Sequence, residues 1–248
     1  MCDFGYMTGR IGLLPISDNL AAVNARIRDV ARGCGRAPRD ISLIAVSKTR
    51  SAGAIAEAYR AGQRNFAENY AQEAVAKIAR LAGLSIVWHF IGAVQSNKTA
   101  LLARHFHWVH SVARLKIARR LAAHRHPKDP LNVLLQVNID ADPAKAGVVP
   151  TEAAGLLAAM RELPGLRVRG LMTILEKAGD PDLSFARMHD LFESLVPAAG
   201  KDWDTLSMGM TRDMDVAIAN GATHLRIGTA IFGPRERAPA SRVQAGRS

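Results

Sequence analysis

The sequence predicts an α/β chain folded as a single (β/α)8 TIM-type barrel with an added N-terminal helix. Three observations carry this. Eight short apolar runs that read as buried strands alternate with amphipathic helical stripes. Parallel neighbours need a long crossover, so repeated strand–helix units imply a parallel sheet, and near-continuous apolar strands imply cover on both faces. Eight such units fit the 248 residues available, close to the roughly 250 typical of a closed barrel, and no G-x-G-x-x-G follows the first strand as an open dinucleotide-binding sheet would require.

Ser17 reads as the N-cap of the first helix, where Leu20, Val23, Ile27 and Val30 share a face until Gly33 and Gly35 stop it. Ile41–Ser47 reads as the first strand, Ala52–Ala61 as the next helix, closed by Gly62, and Arg64–Ala67 as the second strand. The other strands are Ile86–Ile91, Trp108–Val112, Val133–Asn138, Val168–Met172, Thr205–Met208 and His224–Ile227. Within Arg114–Arg125, Leu115, Ala118, Leu121 and Ala122 form one stripe; within Leu183–Ala199, Phe185, Met188, Phe192 and Leu195 do the same, until Pro197 weakens the pattern. Residues 1–16 read as a flexible extension, 17–233 as the barrel and 234–248 as a polar, basic tail.

Two cysteines, Cys2 and Cys34, in no ligand-like spacing argue against a disulfide framework or a metal site and fit a reducing cytoplasm. Cys34 reads as a small apolar residue near a helix end. No apolar run reaches the roughly 18 residues of a membrane span, and the N-terminus lacks the apolar stretch of a secretory signal. The net charge of +11 suits anionic ligands or partners without choosing among them. The run from Lys98 to Lys128 contains no acid, but its only large aromatics are Phe106 and Trp108, so it reads as a solvated basic face rather than a nucleic-acid platform. His105, His107 and His110 read as a surface or partly packed cluster, with His105 and His107 on one strand face.

Barrel chemistry sits at the C-terminal ends of the strands. The first strand ends in Ser47-Lys48-Thr49, where a lysine either surfaces into solvent or is held as a nucleophilic amine able to form a Schiff base. Asn69 and His89 end the second and third strands and are expected to face the mouth. The loops after the last two strands hold Ser207, Gly209, Thr211, Gly228 and Thr229, small residues and hydroxyls suited to a phosphate, with Thr211 capping a helix over Arg212–Ala219.

Several long segments carry a family resemblance: LIAVSKT (43–49), ENYAQEA (68–74), WHFIGAVQSNK (88–98), VHSVARLKIA (109–118), GLMTI (170–174), LSMGMTRDMDVAI (206–218) and RIGTAIFG (226–233). Taken in order, they resemble the pyridoxal-phosphate homeostasis proteins, also called proline synthetase co-transcribed homologues, whose barrel is similar to the N-terminal domain of alanine racemase. Ala67, Ala93 and Ala113 depart from that pattern, where the family usually has glycine, proline and aspartate. The resemblance implies pyridoxal 5′-phosphate as cofactor, held as a Schiff base on Lys48. It also implies an Asn69 contact to the ring or its 3-hydroxyl, Arg226 at the pyridine nitrogen as in alanine racemase, and a phosphate cup of Ser207, Gly228 and Thr229. The function implied is vitamin B6 and amino-acid homeostasis by a cytoplasmic monomer that passes the cofactor to apo-enzymes and has no established catalysis. The alternative is a racemase-like enzyme, disfavoured because such enzymes draw a second base from an additional domain, for which the short tail leaves no room.

Overall fold

The structure, a computed structural model, describes residues 14–175 and 179–234. Its strands are β1 (Ser42–Val46), β2 (Asn65–Glu68), β3 (Val87–Phe90), β4 (Trp108–Val112), β5 (Leu131–Gln136), β6 (Leu166–Met172), β7 (Thr205–Ser207) and β8 (His224–Ile227). They pair in parallel in sequence order and close into a barrel through β8 and β1. Each expected strand is present with ends shifted by no more than two residues. The helices that follow the strands are α2 (Ala52–Arg60), α3 (Ala71–Arg80), α4 (Thr99–His105), α5 (Leu115–Ala122), α6 (Pro150–Arg161), α7 (Pro181–Ala199), α8 (Met214–Ala219) and α9 (Thr229–Phe232).

The added helix is α1 (Ile16–Gly33), which packs on α2, α8 and α9 and so spans the seam where β8 meets β1. Leu20, Val23 and Ile27 are its buried stripe. Arg26 forms a two-pronged bond with Asp215 of α8 at 2.9 and 2.8 Å, and the Asn19 amide donates to the Ile231 carbonyl at 3.0 Å. Ser17 does not cap this helix: Pro15 is the cap position, and Ser17 lies in the first turn beside Asp18. The helix starts earlier because the Ile16 N–H finds a tertiary acceptor, Glu57 of α2, at 3.3 Å. Likewise α7 runs through Pro197 to Ala199, its final turns held by Trp203, which stacks on Phe192 and donates to the Phe192 carbonyl at 3.2 Å. Residues 1–13 and 235–248, which include most of the expected extension and tail, lie outside the described residues.

Two cores result. Leu43, Ala45, Phe66, Phe90 and Leu135 belong to the large apolar layer between sheet and helices. Inside the barrel, Trp108, Leu134 and Met172 make a small apolar cluster flanked by Val87. Beside these and Ile44 the lumen holds a buried polar group: His89, His110, Ser207 and Arg226. That differs from the branched aliphatic layers usual in such barrels. The acid-free basic run builds α4, β4 and α5, and exposes Arg104, Arg114, Lys116, Arg119 and Arg120.

Candidate functional site at the barrel mouth

Lys48 follows β1 with the parity of Ile44 and Val46, opposite to Leu43 and Ala45 on the helix side, and is half-buried at the strand end. Thr49 comes next with φ at 65°, a left-handed conformation that a β-branched residue rarely adopts. The turn is held from behind. The Thr49 N–H donates to Glu73 Oε1 at 2.8 Å, and Lys77 Nζ lies 2.6 Å from that same oxygen. Lys77 also donates to the Ser47 carbonyl at 2.9 Å and to Glu68 Oε1 at 2.8 Å, while the Ser47 hydroxyl donates to Glu68 Oε1 at 2.7 Å. One buried cation on α3 thus ties down the backbone on both sides of Lys48.

Glu68 is fully buried, and its Oε2 has no hydrogen-bond partner. Burial raises its pKa against the opposing pull of Lys77 and Ser47. Sequence reasoning missed this clamp: Glu73 and Lys77 have only the i, i+4 spacing common to helix-surface pairs, which does not distinguish them.

Asn69 directly follows β2 and is half-buried, with its Oδ1 buried and unpartnered. It is pressed into place by Gly92, where an added Cβ would come within 2.1 Å of the Asn69 carbonyl oxygen. Across the mouth, Gly228 abuts β1 just before Lys48: a Cβ there would stand 3.2 Å from the Val46 carbonyl. Thr229 is exposed and opens α9, where the first N–H groups lack intrahelical acceptors. Lys48, Asn69 and Gly228–Thr229 therefore lie at the same end of the barrel.

Arg226 is buried under that mouth. Its Nη1 donates to Ser207 Oγ at 2.8 Å and its Nη2 to the Thr173 carbonyl at 2.7 Å. Among the described residues it has no ion-pair partner, and burial lowers its pKa to about 10. The Ser207 hydroxyl, at the end of β7, is engaged on the lumen side, bonded to Arg226 and to His110 Nδ1 at 3.0 Å. Thr211 lies half-buried in the turn before α8, which begins at Met214; Thr211 does not cap it, because the cap position falls two residues later at Asp213, whose Oδ1 accepts the Met210 N–H at 2.5 Å within the turn.

The histidines also fall elsewhere. His89 does not face the mouth: it pairs in register with Ala67 and with Trp108, the first residue of β4, and so points into the lumen below the strand ends. His105 ends α4, and His107 precedes β4, where its Nδ1 accepts the Trp88 N–H at 3.0 Å. His110 sits in the lumen with His89 and His224, and burial holds all three below the usual histidine range, His224 at about 4. Cys34 is exposed at the C-cap of α1 rather than packed. Among the described residues no group of His, Cys, Asp or Glu is arranged to hold a metal ion.

The family described as alanine racemase, N-terminal domain, matches residues 19–236. The chain is 50% identical over 231 residues to the pyridoxal phosphate homeostasis protein of Pseudomonas aeruginosa, covering 91% of this chain and 99% of the relative. It is 48% identical to the protein of that name from Escherichia coli K12, covering 89% and 97%. PipY from Synechococcus elongatus, solved with PLP bound, superposes with a TM-score of 0.76 at 35% identity, covering 88% of this chain and 100% of that one. The fold and these matches define a barrel of the alanine racemase N-terminal class. Within that class, the chain belongs to the pyridoxal phosphate homeostasis protein family.

Proposed function

We propose that the chain holds pyridoxal 5′-phosphate covalently on Lys48 at the barrel mouth, and that it stores and delivers the cofactor rather than turning over amino acids. The observation that carries this reading is the convergence of four unlike groups on one mouth. They are the Lys48 side chain, the unpartnered buried oxygen of Asn69, the guanidinium of Arg226 without a counter-ion among the described residues, and the open backbone of Gly228–Thr229. These match the parts of the cofactor one to one: aldehyde, ring hydroxyl, ring nitrogen and phosphate. The names of the close relatives and the PLP-bound PipY structure support the same reading.

When bound, the cofactor supplies an aldehyde that forms a Schiff base with an amine and a ring that can withdraw electrons. The remaining steps belong to the chain. Lys48 attacks as the neutral amine, from a backbone fixed on both sides by the Lys77 clamp. Gly228 and Thr229 receive the phosphate through N–H groups at the start of α9. Arg226 only donates, so at a ring nitrogen it stabilises the unprotonated form and leaves the ring a weak electron sink. That favours holding over carbanion chemistry. The exposed, free Cys34 thiol suits a reducing compartment and the cytoplasmic assignment.

Equilibrium dialysis with pyridoxal 5′-phosphate, run on the parent and on Lys48→Ala, tests the holding role. A chiral assay with alanine and other common amino acids tests catalysis. The expected result is tight retention by the parent, loss in the variant and negligible turnover. Racemisation at about 1 per second or faster, abolished in Lys48→Ala, would instead establish the racemase-like alternative.

A further inference from the structure

We infer that Ser207, His110, His89 and Asn65 form a one-way hydrogen-bond chain through the lumen that positions Arg226 for the ring of the cofactor. This rests on the reading of Arg226 given above. Arg226 Nη1 lies 2.8 Å from Ser207 Oγ, Ser207 Oγ 3.0 Å from His110 Nδ1, His110 Nε2 2.9 Å from His89 Nδ1, and His89 Nε2 3.2 Å from Asn65 Oδ1. The chain crosses the barrel from the end of β8 to the first residue of β2. Trp108 stacks on His89 with centroids 5.5 Å apart and planes 15° apart, which fixes the ring orientation.

The direction of every bond follows from the two ends. A guanidinium can only donate, and the Asn65 carboxamide oxygen can only accept. His89 then carries its proton on Nε2 and offers Nδ1 to the Nε2–H of His110. His110 Nδ1 is left as a bare acceptor for the Ser207 hydroxyl, whose oxygen accepts from Arg226. Turning the Asn65 amide over reverses the three lower bonds and makes His110 donate to Ser207. Two donors would then converge on Ser207 Oγ, and its own proton would have no acceptor, although the residue is fully buried. A buried hydroxyl proton left without a partner is costly, so the first arrangement is the one the geometry selects. Both imidazoles must be neutral for the chain to run, and burial holds both well below the usual range. Each bond polarises the next in the same sense.

Two consequences follow. The Ser207 hydroxyl serves Arg226 and His110, leaving the phosphate to the Gly228–Thr229 side of the mouth. Ser207, His110 and His89 become positioning residues, acting on the cofactor only through Arg226.

The test has two arms on the full chain. In the cofactor-free protein, nitrogen-15 spectra of labelled histidine should show both His89 and His110 protonated on Nε2 and bare on Nδ1 at neutral pH. A proton on Nδ1 of either ring, or a cationic imidazole, would overturn the chain. In the second arm, pyridoxal 5′-phosphate is titrated into the parent, Ser207→Ala, His110→Phe and His110→Gln and followed by absorption. Ser207→Ala and His110→Phe should shift the bound spectrum and weaken binding by about tenfold, the size expected for one charge-assisted bond. His110→Gln, which keeps one acceptor and one donor, should stay close to the parent. Ser207→Ala removes a single oxygen and keeps the test open if His110→Phe fails to fold. Parent-like spectrum and affinity in Ser207→Ala would refute the positioning role. A parent that does not bind the cofactor would refute that role together with the site itself, while the tautomers are read independently.

Discussion

Behind Lys48 the support is charged. Lys77, Glu68 and Glu73 form a compact ion cluster between β1, β2 and α3, and every bond in it reaches the backbone of residues 47–49 directly or through one neighbour. Beneath Arg226 the support is neutral: a serine, two uncharged histidines and an asparagine in line. The charged cluster holds a strained turn, with Thr49 at a φ of 65°, and a buried ion pair resists displacement because each ion needs the other. The neutral chain orients an existing charge without cancelling it. A carboxylate in place of Ser207 would pair with Arg226 and take up the charge that the ring nitrogen is proposed to meet.

The largest expected effect separates the two regions by the cost of breaking them. Lys77→Met leaves the Glu68 carboxylate buried and unpaired, and should lower the unfolding free energy by about 3–5 kcal/mol in urea titration. Replacing both ions, as in Lys77→Met with Glu68→Leu, should recover much of that loss. A double variant no more stable than the single would mean that the cluster acts by packing alone.

The next effect sharpens the comparison through pH, because the two regions titrate with opposite sign. Burial lowers the His224 pKa from 6.5 to about 4 in the folded chain. Between those values the unfolded chain binds more protons, so stability is full above pH 6.5 and falls as the pH drops towards 4. The slope is about 1.4 kcal/mol per pH unit, or about 3 kcal/mol by the end of the window. His89 and His110, displaced in the same direction, steepen it. Glu68 works the other way: its folded pKa is raised above 4.5, so the folded chain binds the proton first and gains stability as the pH falls through that pKa. Unfolding titrations of the parent and His224→Asn across this range should give a shallower acid loss in the variant. Equal slopes would show that His224 is not buried as a neutral ring.

The smallest effect concerns the strained turn. Thr49→Gly removes the left-handed penalty, and should stabilise the chain by about 1 kcal/mol after the greater freedom of glycine in the unfolded state is counted. A loss of stability would place the strain elsewhere.

Much of this was legible in the sequence, and the rest was hidden for physical reasons. The strands stood out because each is buried on both faces, and Lys48, Asn69 and Gly228 could be placed because they fall at strand ends. The histidine chain could not be read, since His89, His110 and Asn65 meet only once the barrel closes and the inward parity of three strands is known. The hydroxyl of Ser207 is legible as a strand-end donor, but its bonds to His110 and Arg226 are not, since they too need the closed barrel. Ser17 and Thr211 carried the right chemistry for caps, but α1 starts one residue before Ser17, with its Ile16 N–H on Glu57, and α8 starts three residues after Thr211, with Asp213 at the cap position.

The central claim is that Lys48, held by the charged clamp, is the residue that takes the cofactor. Borohydride reduction of the chain loaded with pyridoxal 5′-phosphate, followed by peptide mass mapping, tests it most directly. The account predicts a single stable adduct on Lys48, absent from Lys48→Ala and still present in Lys77→Met at reduced yield. An adduct on Lys77 or any other lysine, or no adduct in a chain that retains the cofactor, would contradict it.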